Sequence, residues 1–458
     1  MPASGPSVLL NCRGQAYNQP VKTLRSIAVL AAAAGVASCL FELKYSVGGT
    51  VSGLKGAGLV LQDNSGNDLR ISANGAFTFS SRVAKGNAYL VTVRTQPSGP
   101  AQTCAVRDGS GTIAKSDITG VVVTCSQAGR YAYVANEAAG TISAFSIDSV
   151  NGFLTPVPGS PFAATGAQPV ALAVDPNGAF LYVANNASNT VGVFAINDTT
   201  GALTVNEFSV VTGIAPAAVC VDPTGRYLYV ANSGADSVSA YTLQNGIAIL
   251  VSGSPYAVGR RPVALRTDPG GSFLYVTDFA DGNVTVLAID QATGALSGVS
   301  GSPFGADAGA VSIAVDPAGT FAYVANETAA TISAYSIDAH TGALIASGPP
   351  VSTASAPTSV AVNPAANFVY AANVTSSNDV AAYAIAPGSG MLTLSSTITA
   401  GRVPLTVAVD PAGLFVYAVN QTSSNVSVFA VDAATGALAA VAGSPFPAGS
   451  GARSIAID

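Results

Sequence analysis

Residues 169–185 read PVALAVDPNGAFLYVAN, and this stretch decides the fold. Two apolar runs flank an Asp-Pro-x-Gly sequence, in which the proline presets a turn dihedral and the aspartate can accept a hydrogen bond from the backbone two residues on. Short apolar runs joined by such a turn are typical of paired β-strands. Residues 186–203 continue through a polar loop to a third run, TVGVFAI, and then to a Thr-Gly-Ala-Leu turn. The pattern predicts three antiparallel strands and the start of a fourth.

The same four-strand pattern recurs along the chain. A tetrad like Tyr182-Val183-Ala184-Asn185 occurs seven times, at intervals of 46 to 49 residues, with its tyrosine at Tyr133, Tyr182, Tyr229, Tyr275, Tyr323, Tyr370 and Tyr417. Four strands per repeat of about 47 residues are typical of a propeller blade. The repeats therefore predict an all-β fold, a seven-bladed β-propeller, over residues 130–458.

The two ends of the array complement each other. Residues 131–136 (YAYVAN) form a second strand without a first, and residues 454–458 (SIAID) form a first strand without a second. We therefore expect the C-terminal strand to complete the first blade and close the ring, which removes both open sheet edges. An open array would instead need capping repeats.

Composition excludes several classes of protein. The 458-residue chain is 49% hydrophobic and only 9% charged, which excludes intrinsic disorder, and its net charge of −6 argues against nucleic-acid binding. Residues 1–126 hold 11 basic and 5 acidic residues, whereas residues 127–458 hold 7 arginines, no lysine, one histidine and 19 acids. The propeller region therefore cannot use a lysine Schiff base or a multi-histidine metal site. We predict no metal site and no cofactor.

The N-terminus resembles an export signal. Basic residues at 22–25 precede the apolar run SIAVLAAAAGVA at 26–37, which is shorter than the roughly 20 residues that span a bilayer and fits a signal-peptide core. The run ends in Val36-Ala37-Ser38-Cys39, similar to a bacterial lipoprotein cleavage box with Cys39 as the lipidated residue. Residues 1–39 are thus a leader, and the protein is expected in the cell envelope, with membrane contact only through a lipid anchor. The alternative is an ordinary secretory signal with Cys39 as a bystander.

A small β-domain is predicted between the leader and the repeats. Residues 45–126 contain short β-prone segments separated by Gly, Asn, Asp and Ser turns. The domain resembles the Ig-like sandwich modules that serve as spacers in bacterial exported proteins. Cys104 and Cys125 lie near its end, and export permits a disulfide between them. Cys220 lies in an apolar strand and is interpreted as a small buried residue.

Topology separates the loops of the repeats into two sets. Because consecutive strands alternate in direction, the Asp-Pro and Thr-Gly-Ala-Leu turns share one side of the disc, here named the turn face. The loops after each tetrad and those between blades share the other side, the loop face. The turn face is uniform in sequence and carries the single histidine, His340, as an expected surface residue. The loop face is uneven, so the functional site is predicted there.

The uneven loops supply the candidate residues. Glu137 and Glu327 follow two tetrads, and Arg260, Arg261 and Arg402 lie in loops between blades. A carboxylate can act as a general base or orient a water, and a guanidinium can polarise a carbonyl. Glu137 or Glu327 in the first role and Arg261 or Arg402 in the second are therefore the catalytic candidates.

Arg266 and Asp278 break the pattern of the fourth repeat. The aligned first strands carry a small residue where Arg266 stands, and Asp278 replaces the tetrad asparagine. A charge near the propeller axis needs a partner, so one interpretation pairs Arg266 with Asp278. The other is a ligand site in which Arg260, Arg261 and Arg266 present cations to a carboxylate, a phosphate or a lactone carbonyl.

The repeats resemble the bacterial seven-bladed propellers of the lactonase family, including 6-phosphogluconolactonase-like proteins, and the YVTN surface-layer propellers. The residues that carry the resemblance are the tetrads, the Gly-Ser-Pro-Phe segments at 159–162, 301–304 and 443–446, and the Asp-Pro turns at Asp175, Asp222, Asp268, Asp316 and Asp410. The resemblance implies the propeller fold. It also implies catalysis by His, Glu or Arg over the central channel, where this chain has no histidine to offer.

Two functions follow. The first is an exported, non-catalytic scaffold that binds a surface protein, a glycan or a small ligand. The second is a lactone hydrolase like the family enzymes. A ligand at the mouth of the central channel is expected in either case.

Overall fold

The structure is a computed structural model that describes residues 43–54, 56–97, 102–127, 131–206 and 209–458. Its contacts divide the chain into two compact units, Met1–Ala128 and Gly129–Asp458. The predicted leader, with Cys39, lies outside the described residues. No helix long and apolar enough to cross a bilayer occurs in the described ranges.

The first unit contains two four-stranded sheets. One has the strand order Gly75–Thr78, Val47–Ser52, Ile118–Gln127 and Gln102–Arg107; the other has the order Asn67–Ile71, Leu59–Asp63, Ala88–Thr95 and Ser110–Thr112. The short strands Lys44–Tyr45 and Val83–Ala84 pair separately. Alternate residues of both sheets form one apolar core, which includes Val47, Leu59, Val91 and Val121. The unit is thus a small two-sheet sandwich; its relation to Ig-like modules stays a prediction.

Cys104 and Cys125 form a disulfide inside this core. They stand directly opposite each other on the antiparallel strands Gln102–Arg107 and Ile118–Gln127. Cys220 of the second unit is a free, buried thiol.

The second unit contains seven sheets, one per repeat. The first strands are Ala452–Ile457 (blade 1), Pro169–Val174, Pro216–Val221, Pro262–Thr267, Ala310–Val315, Ala356–Val362 and Pro404–Val409. The second strands are Tyr131–Asn136, Phe180–Asn185, Tyr227–Asn232, Phe273–Asp278, Phe321–Asn326, Phe368–Val374 and Phe415–Asn420. The third strands are Thr141–Ile147, Thr190–Ile196, Ser237–Gln244, Asn283–Ile289, Thr331–Ile337, Asp379–Ile385 and Asn425–Val431.

The outer strands are shorter in every blade except the sixth. The fourth strands are Leu154–Pro156, Leu203–Val205, Ile247–Leu250, Leu296–Gly298, Leu344–Ala346, Leu392–Thr399 and Leu438–Ala440. Six blades add a two-residue strand on the third: Phe162–Ala163, Val210–Val211, Tyr256–Ala257, Phe304–Gly305, Val351–Ser352 and Phe446–Pro447. The predicted all-β fold of seven four-stranded blades is confirmed.

The Asp-Pro turns connect the first and second strands through the aspartate side chain. In blade 2, Oδ1 of Asp175 accepts hydrogen bonds from the backbone N–H groups of Ala179 and Phe180, both at 2.6 Å. Blade 6 uses Asn363 in the same way. These side chains satisfy turn amides that would otherwise be buried without a partner, so their role is structural.

The Gly-Ser-Pro-Phe segments also complete the sheets. The serine hydroxyl accepts a backbone N–H from the third strand of the same blade, as in the bonds from Ala144 to Ser160 at 2.9 Å and from Val428 to Ser444 at 2.9 Å. The bond forms between the fourth strand and the short added strand of the blade. The serine hydroxyl thus satisfies a third-strand N–H that no neighbouring strand pairs with.

The C-terminal strand closes the ring. Ala452–Ile457 pairs antiparallel with Tyr131–Asn136, and two bonds join the backbone of Tyr131 to Asp458. The first strands of the seven blades contact one another in a closed circle. Apolar side chains of neighbouring blades then share a core; for example, Tyr133 of blade 1 packs with Leu181 and Val183 of blade 2.

Candidate functional site

A cavity of about 990 Å³ lies on the propeller axis and is lined by the first strands of all seven blades. Two residues after the first-strand residue that pairs with the end of the tetrad, blades 2 to 4 present methyl groups and the other four blades present hydroxyls: Ala171, Ala218 and Ala264 against Ser312, Ser359, Thr406 and Ser454. At this level the wall is thus hydroxyl-lined over four blades and methyl-lined over three, and Arg261 and Arg266 add charge to blade 4. The hydroxyls of Ser312, Ser359 and Thr406 also bond the backbone of the next blade.

The loop-face mouth is formed by the residues that follow each tetrad. Three of them, Phe279, Glu327 and Gln421, line the cavity. The Glu327 side chain is half-buried, and the structure assigns it no hydrogen bond or ion pair among the described residues. Its carboxylate is therefore available to a water or a ligand in the channel.

Arg261 lines the same mouth and lies over the ring of Phe279, with its guanidinium carbon 4.6 Å from the ring centroid. Its backbone is also fixed, because its N–H donates to Asp236 at 2.8 Å and its carbonyl accepts the N–H of Phe279 at 3.1 Å. A cation over an aromatic face is held by roughly 0.5–1 kcal/mol at an exposed site. Arg261 is thus an oriented cation with no carboxylate bonded to its guanidinium among the described residues.

A second charged group stands on the first blade. Arg453 lines the cavity, and its Nη1 lies 2.8 Å from Oε2 of Glu137. The same Glu137 oxygen accepts a longer bond, 3.4 Å, from Gln421 of blade 7. Glu137 therefore orients Arg453, and of the two residues only Arg453 lines the cavity.

Arg266 lies further along the channel wall, near the turn-face end of its strand. It is exposed into the cavity and stands opposite Tyr275 in the ladder. Burial raises the pKa of the Cys220 thiol on the neighbouring blade, and the charge of Arg266 opposes that shift. A cation replaces a methyl group here because the side chain points into open space and not into the core.

The expected pairing of Arg266 with Asp278 is wrong. Asp278 lies three positions beyond Tyr275 on its strand, and strand side chains alternate, so it projects from the opposite side of the sheet. Asp278 is fully buried and accepts a 2.6 Å bond from Thr285. Burial raises the pKa of Asp278 to about 7; the bond from Thr285 opposes that shift, and the nearby charge of Asp281 reinforces it.

The model of the family described as "Lactonase, 7-bladed beta-propeller" matches residues 101–214, 204–312 and 303–452. The chain belongs to this lactonase family. No curated protein matches it.

Solved structures resemble this lactonase-family propeller at low sequence identity. One is the periplasmic gluconolactonase of Pseudomonas aeruginosa, with 19% identity, 71% of this chain and 98% of that chain covered, and a TM-score of 0.63. Another, from Bacteroides fragilis, is named provisionally as a 6-phosphogluconolactonase. It has 19% identity and a TM-score of 0.65, and the match covers 72% of this chain and 98% of that chain. Hydrazine synthase of Kuenenia stuttgartiensis also matches, with 20% identity and a TM-score of 0.52; the match covers 65% of this chain and 92% of that chain. At these identities the likeness shows the fold alone.

Several predicted residues of this lactonase-family chain lie away from the cavity wall. Arg260 is paired with Asp281, with Nε and Oδ1 2.6 Å apart, and its side chain is 70% exposed. Arg402 and His340 are exposed, and neither lines the cavity. Of the candidates, the structure brings Arg261, Arg266 and Glu327 to the channel, and Glu137 to its edge.

Sequence reasoning missed Arg453 and Gln421 in the lactonase-family channel. Arg453 follows the first-strand residue that pairs with the end of the tetrad, and at this position the other blades carry Val170, Ala217, Val263, Val311, Thr358 and Leu405. Comparison of the repeats at that position would have found it. Among the residues that the structure describes, no group of three or more His, Cys, Asp or Glu side chains could hold a metal ion.

Proposed function

We propose that this protein hydrolyses a lactone at the loop-face mouth of its channel. The observation that carries the proposal is the position of Glu327. Its unpartnered carboxylate lines the same cavity as two oriented arginines, Arg261 and Arg453. Ester hydrolysis needs a base and a group that stabilises the oxyanion, and the mouth of this channel holds both.

The chemistry assigns one step to each group. Glu327 takes a proton from water, and the water oxygen bonds to the lactone carbonyl carbon. The carbonyl oxygen becomes an oxyanion, which a guanidinium of Arg261 or Arg453 stabilises. The C–O bond of the ring then breaks, and the departing ring oxygen takes the proton from Glu327. The product is a hydroxy acid, and the carboxylate of Glu327 is restored.

Fixed orientation matters for such a step, because a donor that is already aimed needs no rearrangement when charge develops. Arg261 is held by Phe279, and Arg453 is held by Glu137. The hydroxyl-lined half of the channel suits a sugar-derived lactone. The name of the Pseudomonas aeruginosa structure, a periplasmic gluconolactonase, supports the same class of substrate.

A binding scaffold without catalysis is the second candidate. It is favoured by the exposed position of His340, the single histidine, outside the channel wall. Its partner would be a surface protein, a glycan or a small ligand. This candidate requires a folded protein that binds at the channel and turns over no lactone.

Adjacent arginines provide the test. We expect Arg261→Ala to lower kcat/KM for the best substrate of a lactone panel by about 10²-fold, the usual cost of an oxyanion donor. Arg260→Ala is the matched control, because its side chain pairs with Asp281 away from the cavity; its kcat/KM should stay within about twofold. Alanine carries a Cβ as arginine does, so neither substitution changes the strain of the backbone. Equal losses in both variants would place the site elsewhere, and a folded wild type without turnover would favour the scaffold.

We also infer that the protein is exported to the cell envelope and lipidated at Cys39. The support is the leader sequence of residues 22–39. Intact-mass analysis of the protein purified from membranes is expected to show a chain that begins at Cys39 and carries added lipid mass. A mature chain that begins before Cys39 would contradict lipidation and leave an ordinary secretory signal.

A further inference from the structure

Blade 4 differs from the other blades at its most buried polar position. Six blades end their tetrad with asparagine, and these side chains are at most 1% exposed: Asn136, Asn185, Asn232, Asn326, Asn373 and Asn420. Blade 4 has Asp278 there, with no exposed surface. An amide is both a donor and an acceptor, whereas an ionised carboxylate only accepts. The substitution therefore changes which bonds this site can form.

Blade 7 shows how the asparagine is used. The Nδ2 group of Asn420 donates to Oδ1 of Asn425 at 2.8 Å and to the hydroxyl of Ser427 at 2.9 Å. Its Oδ1 accepts the backbone N–H of Gly401 at 3.1 Å. Asn420 thus joins the second strand, the third strand and the loop between blades.

Blade 4 has the same arrangement with an acid. Asn283 stands opposite Asp278 in the ladder, as Asn425 stands opposite Asn420. The hydroxyl of Thr285 donates to Oδ2 of Asp278 at 2.6 Å. Both Oδ1 of Asp278 and Oδ1 of Asn283 are buried without a hydrogen-bond partner. The tetrad Oδ1 is also unpartnered in Asn185, Asn326 and Asn373, but there the facing residue accepts a bond from the asparagine amide. Among the described blades, blade 4 is distinguished by an unpartnered acceptor on both facing residues. Two unsatisfied acceptors on facing residues would be satisfied together by one proton.

The surrounding charges do not favour an ionised Asp278. The nearest acid, Asp281, raises the pKa of Asp278 further, and the nearby Arg260 is already paired with Asp281. The Arg261 guanidinium lies over Phe279 instead. Two further acids lie on loops near Asp278. Asp236 accepts a hydrogen bond from the Arg261 N–H, and Asp307 accepts one from the hydroxyl of Thr331. Burial is the largest effect on the pKa of this carboxyl and favours the neutral form, while bonds from Thr285 and the Gly259 N–H favour the charged form and oppose it.

We propose that Asp278 is a neutral carboxylic acid that donates its proton to Asn283. This proton positions the two loop segments, residues 259–261 and 279–280, that carry Arg261 and Phe279 and are here named the loop corner. The corner packs directly on the acid: a Cβ at Gly259 would lie 2.5 Å from the Asp278 carboxyl carbon. The backbone N–H of Phe279, the next residue, holds Arg261. Ionisation would require water or a counter-ion in this packed space, which would displace the corner. Asp278 is a positioning residue, and the inference goes beyond the proposed hydrolysis.

Unfolding equilibria test the protonation. The folded-state pKa is raised above the unfolded value, so the contribution of the acid is complete below about pH 4 and is lost as the pH rises to about 7. Replacement by Asp278→Asn, in the full-length protein, restores the bonding of the other blades. The unfolding constant of the wild type, divided by that of the variant, should therefore rise about 10²-fold from pH 5 to pH 8, or tenfold per pH unit up to the folded pKa.

Asn420→Asp in blade 7 is the matched control, because it recreates the acid opposite an asparagine. Its unfolding constant, divided by that of the wild type, should rise with pH in the same way. A flat ratio for Asp278→Asn between pH 5 and pH 8 would overturn the proposal, since Asp278 would then be ionised in the folded state. Such a result is expected if the Asn283 amide is rotated so that it donates to the carboxylate.

Amide hydrogen exchange tests the positioning of the corner. We expect the protection of the Phe279 and Ala280 amides, corrected for intrinsic rates, to fall at least tenfold between pH 6 and pH 8 in the wild type and to stay constant in Asp278→Asn. The Gln421 and Thr422 amides, which bond the corresponding loop of blade 7, are the internal control and should not change. Equal behaviour of the two corners would overturn the positioning role. Neither experiment measures turnover, so their outcome is separate from that of the proposed hydrolysis.

Discussion

Deletion of residues 454–458 is expected to lower the midpoint of thermal unfolding by more than about 10 °C. The deleted segment supplies four of the five ladder pairs with Tyr131–Asn136, and its loss removes Ile455 and Ile457 from the core shared by blades 1 and 7. Loss of large core side chains costs about 2–5 kcal/mol each, and the lost ladder hydrogen bonds add about 1 kcal/mol each. In a unit as long as Gly129–Asp458, each kcal/mol lowers the midpoint by roughly 1.5 °C. Two open strand edges would also favour aggregation.

A rescue variant controls for this deletion. In the truncated chain, the segment 452–457 is inserted before Tyr131 and joined to it by Asp-Pro-Asn-Gly-Ala, the connection that blade 2 uses at residues 175–179. This arrangement supplies the same first strand from the other end of the array, and it should recover most of the lost stability. Calorimetry of the wild type, the truncation and the rescue variant gives the comparison. An unchanged midpoint in the truncation would show that the ring does not depend on its closing strand.

Glu327→Gln is expected to lower kcat/KM for lactone hydrolysis by about 10²–10⁴-fold, the usual contribution of a general base. The amide keeps the size and polarity of the side chain but cannot accept the proton from water. Because the Glu327 side chain has no bonded partner among the described residues, the replacement should leave the unfolding midpoint unchanged. Initial rates of ring opening, measured with a calorimetric scan of each variant, separate loss of chemistry from loss of fold.

Glu137→Gln is the informative comparison for that prediction. Glu137 bonds Arg453, so its replacement should loosen one cation and leave the base intact. We expect a loss of roughly tenfold, which is smaller than the loss for Glu327→Gln because Arg261 remains in place. A larger loss in Glu137→Gln than in Glu327→Gln would exchange the roles of the two carboxylates. Full activity of Glu327→Gln would exclude it as the base.

The strands, the turns and the number of blades could be predicted because each depends on residues close together in sequence. The Asp175 turn is closed by amides four and five residues later, and the tetrad itself is buried in every repeat. Closure could be predicted as well, because the missing strand at one end of the array matches the extra strand at the other.

The composition of the site could be predicted only in part. Arg261 and Glu327 were recognised because they differ from the other repeats and lie in loop-face segments. Arg453 was missed, although it differs from the aligned residues, because it lies within a strand that conforms in every other respect. The expected pair of Arg266 and Asp278 failed because the ladder register places them on opposite sides of one sheet.

The sequence by itself determined the all-β class, the seven blades and the closing strand, since local turn chemistry and strand alternation encode them. Tertiary structure alone decided which uneven residues meet. Glu137 and Arg453 are 316 residues apart in the chain, yet their side-chain atoms lie 2.8 Å apart. Such contacts depend on the radial position of each blade and on the direction of each side chain. Both are set by the packing of all seven sheets around the axis, and by no single repeat.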